Sequence, residues 1–473
     1  MILVILLILY LLVGAILIFK LIIYGVRPTK TLAWLLAIFT IPVGGILLYL
    51  LLGRNRRKQK LYHQKKTKKI NTYLKEVENH HFNITNFEYN EHQKLIELIS
   101  KNSGFTPSSG NKVNLLKNGE TTFEAIFNAL KKATHFINIQ YYIFEEGELT
   151  DSFFALFKEK VKEGVQIRIL YDGIGSISLS KDYINKLKKI GVQVYSFLPM
   201  KFGKFLSSIN YRNHRKIIVI DTNIAFTGGI NVSDKYVKGD RHLGIWNDMH
   251  LQLEGPIVNS LQAVFAMDWH FITNEDHIFN LGPFPVFEKK GKASAQVVQS
   301  GPDSDFSAIR QLFFSMITDA KDYIYITNPY IIPGDSIIES LQVAALSGVD
   351  VRMLLSNNSD NQIVRWCVRS YFETLLQAGV KIYLIQDGFL HSKTMVADDT
   401  ISSLGTANMD IRSFDQNYEV NVVIFDDNFA LDLKNNFIEE CSKSIQLNYS
   451  DFSKRPWLDR LKEGIAKVFS PVL

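Results

Sequence analysis

The spacing of apolar residues changes character along this chain. Ile2–Ile23 is almost wholly apolar, broken only by Lys20, and Thr31–Leu52 carries no charge. Each is long enough to cross a hydrocarbon layer of about 30 Å as a helix. Residues 25–30 between them allow only a tight hairpin. Pro42, Gly44 and Gly45, poor choices for a helix in water, are tolerated in lipid. A cleaved signal sequence fits less well, because no basic segment comes first and a second long span follows directly. Residues 1–53 are therefore expected to form two transmembrane helices.

From about Lys112 the pattern becomes short β-branched and aromatic runs alternating with helical periodicity. His135–Phe144, Val165–Tyr171, Val192–Phe197, Lys216–Asp221 and Ile224–Thr227 read as strands, with helices over Thr150–Glu163 and Lys181–Ile190. The order then repeats. Asp322–Ile332, Val349–Leu355 and Val380–Ile385 read as strands, and Ser336–Ser347 and Val364–Ala378 as helices. Such alternation predicts an α/β fold of helix-covered sheets, and the repeat length points to a duplicated domain. Gly282, Pro283, Pro285 and Gly291 mark the boundary, giving halves at 112–285 and 286–473, with 54–111 as a basic linker segment. Near the C-terminus Trp457, Leu461, Ile465, Val468 and Phe469 share one helical face. That helix either lies on a membrane surface or docks on the core.

The net charge of +6 on 473 residues is unevenly placed. Nine basic residues fall between Arg54 and Lys69, against Lys20, Arg27 and Lys30 before the second span. The positive-inside bias puts everything after Leu52 in the cytoplasm, with the basic run free to lie on anionic headgroups. Cys367 and Cys441 make neither a disulfide framework nor a zinc site.

One polar constellation occurs twice. His214, Lys216, Asp221, Gly228 and Asn231 recur as His391, Lys393, Asp398, Gly405 and Asn408, each 177 positions later. Two histidines brought together can divide the work of a phosphodiester exchange. A neutral imidazole attacks phosphorus, and a protonated one donates to the departing alkoxide. Lys216 and Lys393 would hold the non-bridging oxygens, aided by the amides of Asn231 and Asn408, while Gly228 and Gly405 allow close backbone approach. Asp221 and Asp398 belong to the catalytic set, although orienting backbone is the more natural task for a carboxylate at a strand end. No carboxylate cluster with metal-ligand spacing lies near either copy. Neither a metal nor a cofactor is expected, and the lysines take the metal's place.

The two motifs, HRKIIVIDTNIAFTGGIN and HSKTMVADDTISSLGTAN, resemble the HKD signature of the phospholipase D superfamily. RPTKTLAWLL…IPVGGILLYLLLGRN, YRNHRK, ITNPYIIPG and NMDIRSFDQNYEVN are similar to bacterial cardiolipin synthases. The resemblance implies two pseudo-symmetric phospholipase D-like α/β/α halves sharing one active site. It implies transfer of a phosphatidyl group from one phosphatidylglycerol to another through a phosphatidyl-histidine, with His214 as nucleophile and His391 as acid, then base. It also implies a downstream carboxylate holding each histidine, at positions that Asp248 and Glu419 match.

Exchange of one glycerol phosphodiester for another is nearly thermoneutral and needs no nucleotide cofactor, while water, the competing acceptor, must be excluded once the intermediate forms. The stretch Lys201–Leu206 is a candidate border of the lipid entrance. The expected partners are phosphatidylglycerol and the anionic bilayer of a bacterial cell membrane. A membrane-tethered phospholipase D releasing phosphatidic acid is the alternative. A nuclease fits poorly, because no long basic groove with interleaved aromatics is visible and nucleic acid is not an expected partner. A lipid binder with a decayed site conflicts with the intact His–Lys pairs. Acceptor choice and oligomeric state stay open at this level.

Overall fold

The structure, a computed structural model, describes residues 2–24, 28–41, 43–49, 68–82, 90–198, 211–280, 289–359 and 361–470. The chain divides into a small unit of residues 1–61 and 200–210 and a large unit of the remainder. Residues 50–67 and 199–210 lie outside the described residues, and with them most of the basic run and the stretch Lys201–Leu206.

In the small unit the first apolar stretch is one helix, Ile2–Tyr24. The second is broken into Pro28–Thr40 and Gly44–Leu48, with Val43 at φ 64° between them. The break follows from the sequence, since Pro42 has no N–H for the helical ladder. Gly45 makes the sharp return feasible, because a Cβ there would lie 2.1 Å from the Ala37 carbonyl oxygen. Leu17, Leu21, Ile38, Ile46 and Tyr49 close a small apolar cluster. Among the residues described down to their side chains, no helix is long and apolar enough to cross a membrane.

The large unit is built on one fifteen-stranded sheet. Across the first half the strands run in the order Gln193–Phe197, Gln166–Asp172, Phe136–Tyr141, Ile217–Ile220, Ile224–Gly228, Met249–Glu254, Ser108–Lys117. The sheet continues without a gap through Ala293–Ser300, Glu419–Phe425, Ile401–Gly405, Thr394–Ala397, Tyr323–Thr327, Asp350–Ser356, Lys381–Ile385 and Ile445–Gln446. Apart from the last short strand, the second half is the first read in reverse. The pseudo-dyad thus passes between Ser108–Lys117 and Ala293–Ser300, which pair antiparallel with Asn111 opposite Ala293. Phe136–Tyr141 and Tyr323–Thr327 are buried along their whole length, as parallel strands covered on both faces must be.

Three features go beyond or depart from the sequence expectation. Residues 54–111 are not simply a linker. Ile70, Tyr73 and Val77 of the helix Lys68–Phe82 join the central core, and Leu95, Ile96 and Ile99 of Gln93–Ser103 join the core of the second half. Helix Ile257–Thr273 is buried on every side from Ile257 to Trp269, carrying Asn259, Gln262 and Asp268 inside with it. Pro329 splits the expected strand over 322–332, so it ends at Thr327 and resumes for Ile331–Ile332.

Candidate active site

Each motif opens an antiparallel hairpin, Ile217–Ile220 with Ile224–Gly228 and Thr394–Ala397 with Ile401–Gly405. The residues just before each histidine pair with the other half. Asn213 bridges Tyr418 in parallel, and Phe389–Leu390 runs parallel to Trp246–Asn247. Backbone N–H groups then donate across the pseudo-dyad, His214 to Tyr418 O at 2.9 Å and His391 to Asn247 O at 2.8 Å. Because the accepting residues immediately precede Glu419 and Asp248, the carboxylates are delivered crosswise. His214 Nδ1 lies 3.0 Å from Glu419 Oε2, and His391 Nδ1 lies 2.7 Å from Asp248 Oδ2. Each histidine is therefore held by a carboxylate from the opposite half, which corrects the expectation that the one about thirty residues downstream in its own half would hold it.

A proton on Nδ1 donated to a carboxylate leaves the Nε2 lone pair for attack on an electrophile. The carboxylates are themselves fixed. Glu419 accepts from Thr406 Oγ1 at 2.5 Å and Asn417 Nδ2 at 3.2 Å, and Asp248 accepts from the Met249 N–H at 2.7 Å. Gly229 makes room for Asp248, since a Cβ there would lie 2.1 Å from Oδ1. Lys216 Nζ donates to the His214 carbonyl at 2.8 Å, and Lys393 Nζ to the His391 carbonyl. Lys393 Nζ is also 2.8 Å from His391 Nδ1. With that nitrogen's proton given to Asp248, no lone pair is left to accept from the ammonium. The contact is electrostatic. The aromatic wall consists of Tyr142, 4.8 Å from the His214 ring, and Trp246, 5.4 Å from the His391 ring.

Burial shapes the ionisation of the whole cluster. It lowers His214 below the usual histidine range, with Lys216 and Lys393 adding to the effect and Glu419 opposing it. His391 is pushed further down by burial, then by Lys393, Lys216 and His214. Cations and imidazoles of both copies thus lie close enough to act on one another. Burial brings Lys216 down to about 7, with Lys393 adding to the drop, and takes Asp248 up to about 6. Burial also raises Glu419, but His214, Lys216 and Thr406 carry it below its ordinary value. Neutral imidazoles are thus favoured in the cluster, and the two lysines, which the two carboxylates offset, are the groups able to meet the charge of a phosphodiester. Among the described residues no group of three or more His, Cys, Asp or Glu could hold a metal ion.

The other motif residues do different work. Asp221 and Asp398 are not in the cluster. Each sits at the far end of its strand, five residues or about 16 Å from the lysine. There Asp221 adopts φ 51° and Asp398 φ 50°. Asp221 accepts from the N–H groups of Thr134, His135 and Phe136 at 2.7–2.9 Å, and Asp398 from those of Lys321, Asp322 and Tyr323 at 2.8–3.0 Å. They clamp the start of the neighbouring antiparallel strand, away from the His–Lys cluster in which the sequence reading counts them. Gly228 and Gly405 serve close strand packing, against His250 and Asn421. The Asn231 amide is committed, donating to Tyr236 Oη at 2.9 Å and accepting from the Ile143 N–H at 3.2 Å. The Asn408 carboxamide oxygen is buried with no hydrogen-bond partner.

Sequence reasoning passed over the braces of the first motif. Arg212 pairs with Asp172 at 3.1 Å and Arg215 with Asp268 at 2.6 Å, and Asp268 also accepts from Gln140 and Asn213. Basic residues flanking a His-x-Lys motif were the available signal. The second half breaks the symmetry here. Ser392 stands in the place of Arg215, and Thr327, opposite Thr394, in that of Gln140, opposite Ile217. A cleft lies here, lined by Asp248, Ser392, Thr327, Asn436 and Glu440 among others.

Comparison with known proteins agrees with this geometry. The family described as "Cardiolipin synthase, PLD-like domain" matches residues 126–269 and 313–463. The family described as "Phospholipase D-nuclease N-terminal" matches residues 2–54. Cardiolipin synthases of Alkalihalophilus pseudofirmus and a Geobacillus species are 41% and 39% identical over 450 residues, 94% of this chain and 90% and 89% of theirs. The major cardiolipin synthase of Bacillus subtilis is 37% identical over 93% of both chains. Phosphatidylserine synthase of Haemophilus influenzae shares the fold, with a TM-score of 0.62 at 12% identity over 81% of this chain and 100% of that one. By these matches and the duplicated site, the chain belongs to the cardiolipin synthase family of phospholipase D-like proteins.

Proposed function

We propose that this chain is a phosphatidyltransferase that makes cardiolipin and glycerol from two molecules of phosphatidylglycerol. The observation that carries the reading is the crossed pair of histidine–carboxylate contacts within a buried site that also holds both motif lysines, in a chain so similar to cardiolipin synthases. His214 Nε2 attacks phosphorus. The bound phosphodiester anion favours imidazolium at His391 beside it, and as the bond from phosphorus to the glycerol oxygen breaks, His391 gives its Nε2 proton to that oxygen. Neutral His391 then takes the proton of the terminal hydroxyl of a second phosphatidylglycerol. The hydroxyl oxygen displaces His214, and His391 ends protonated as it began. Lys216 and Lys393 neutralise charge on the non-bridging oxygens, a contribution of about 3–4 kcal/mol for one well-placed donor. The cleft beside Asp248 supports the division of roles, since the acid–base histidine is the one that benefits from a polar path on its carboxylate's side.

Anchoring to a cell membrane, with the large unit on the cytoplasmic side, belongs to the same proposal. The apolar stretches Ile2–Ile23 and Thr31–Leu52 of the sequence support it, and the basic run after the second supplies the bias. The test is incubation of the full chain with phosphatidylglycerol vesicles and chromatography of the lipid products. Cardiolipin and free glycerol in equal amounts are expected. Phosphatidic acid as the main product would replace transfer with hydrolysis.

A further inference from the structure

The C-terminal helix Trp457–Val468 docks on the large unit with its polar face inward. Glu463 is 2% exposed and accepts from Arg369 Nε at 3.1 Å and Arg455 Nε at 2.8 Å. Ala466 is buried beside it, and Lys462 and Lys467 lie over the rings of Trp366 and Tyr371. The apolar residues face out. Trp457, Leu458, Leu461, Ile465, Val468 and Phe469 are each at least 50% exposed. A helix packed on a protein core and facing water carries the opposite arrangement. Six large apolar side chains within thirteen residues make a contiguous exposed patch of the kind that marks an interaction surface.

Charge and position identify the partner. The exposed charges around the stripe are Lys454, Arg460, Lys462 and Lys467, with Asp459 only half-exposed. An apolar face rimmed by cations suits an anionic lipid interface, the apolar side chains entering the acyl boundary and the cations meeting phosphates. The helix it rests on, Gln362–Arg369, lines a cleft with Pro329, Tyr330 and Ser356, at the C-terminal ends of two parallel strands. At that edge Thr327 pairs with Thr394, the residue after Lys393. Stripe and His–Lys cluster therefore share one edge of the second half.

We infer that the C-terminal helix is an interfacial membrane helix, seating the edge that carries the active site on an anionic lipid surface. This goes beyond the transfer reaction and does not depend on which alcohol accepts the phosphatidyl group.

The test uses the full chain in vesicles of phosphatidylglycerol and phosphatidylethanolamine. A fluorophore is placed at Leu461→Cys or, as control, at the exposed Lys186→Cys; the native cysteines are buried. Quenching by a lipid with a nitroxide on its acyl chain is compared with quenching by aqueous iodide. The inference predicts that the Leu461→Cys label is quenched several-fold more by the lipid than by iodide, and the Lys186→Cys label the reverse. Equal iodide quenching at both sites overturns it, as does protection of the Leu461→Cys label through crosslinking to a second copy. A second arm reads kinetics. Leu461→Asp with Ile465→Asp should raise KM for vesicular phosphatidylglycerol by about fivefold or more, with turnover of a dissolved short-chain phosphatidylglycerol unchanged. An unchanged vesicular KM contradicts the inference. Depth quenching needs no turnover, so its failure would leave the transfer reading standing.

Discussion

Lys216 and Asp248 are both held by burial away from their ordinary ionisation, one down to about 7 and the other up to about 6. Protonated Lys216 is the form that binds a phosphodiester, so kcat/KM should fall as pH rises through about 7. His214 attacks as the neutral imidazole and is lowered, so the acid limb should lie below 6.5. A kcat/KM profile on a dissolved short-chain substrate checks this, and a profile flat from pH 6 to 9 contradicts it. The same lysine costs stability. Its folded pKa lies below the unfolded one, so the cost is fully present below about 7 and fades as pH rises toward 10.5. The difference corresponds to at most about 5 kcal/mol. Lys216→Met, which removes the buried charge and keeps the stem, should melt several degrees higher at pH 7 and lose activity on the order of 10³-fold. The gap in melting temperature should narrow from pH 7 to 10. A variant less stable at pH 7 would show that the donation to the His214 carbonyl outweighs the buried charge.

At the scale of elements, the aspartate of each motif belongs to the hairpin turn rather than to the chemistry. Asp221→Ala strips three backbone N–H groups of their acceptor and puts alanine at positive φ, at a cost of about 2–4 kcal/mol. Asp221→Asn keeps part of the acceptor and tolerates the backbone, so it should cost less. Thermal denaturation should rank the two that way, with kcat per folded molecule within about twofold of the parent. A catalytic collapse in a fully folded Asp221→Asn chain would return this residue to the site. The strands and helices of both halves were legible because alternation and β-branched runs are local signals. Crossing was not. His214 and Glu419 are 205 positions apart, and no local pattern says which half's carboxylate meets which imidazole. Asp268 was equally hidden, inside a helix whose all-round burial is a tertiary fact. The periodicity of the last helix marked an apolar face without saying which face docks; the Glu463 ion pairs decide that.

For the whole molecule, the continuous sheet makes the two halves one catalytic object. Neither half alone should transfer a phosphatidyl group, because each would hold a histidine without its carboxylate. Mixing a His214→Ala chain with a His391→Ala chain should restore no more activity than either shows alone, since the complementary residues sit in one chain. Recovery toward half the parental rate would mean that sites form between chains.

The central claim, one nucleophile from the first half served by an acid–base from the second, is tested most directly by trapping the intermediate. The His391→Ala chain is given a phosphatidyl ester of p-nitrophenol, whose leaving group needs no proton, then quenched in alkali and digested for mass spectrometry. The account predicts a burst of nitrophenolate equal to the enzyme and a phosphatidyl adduct mapped to His214. An adduct anywhere else in that variant, or release with no covalent adduct, contradicts it.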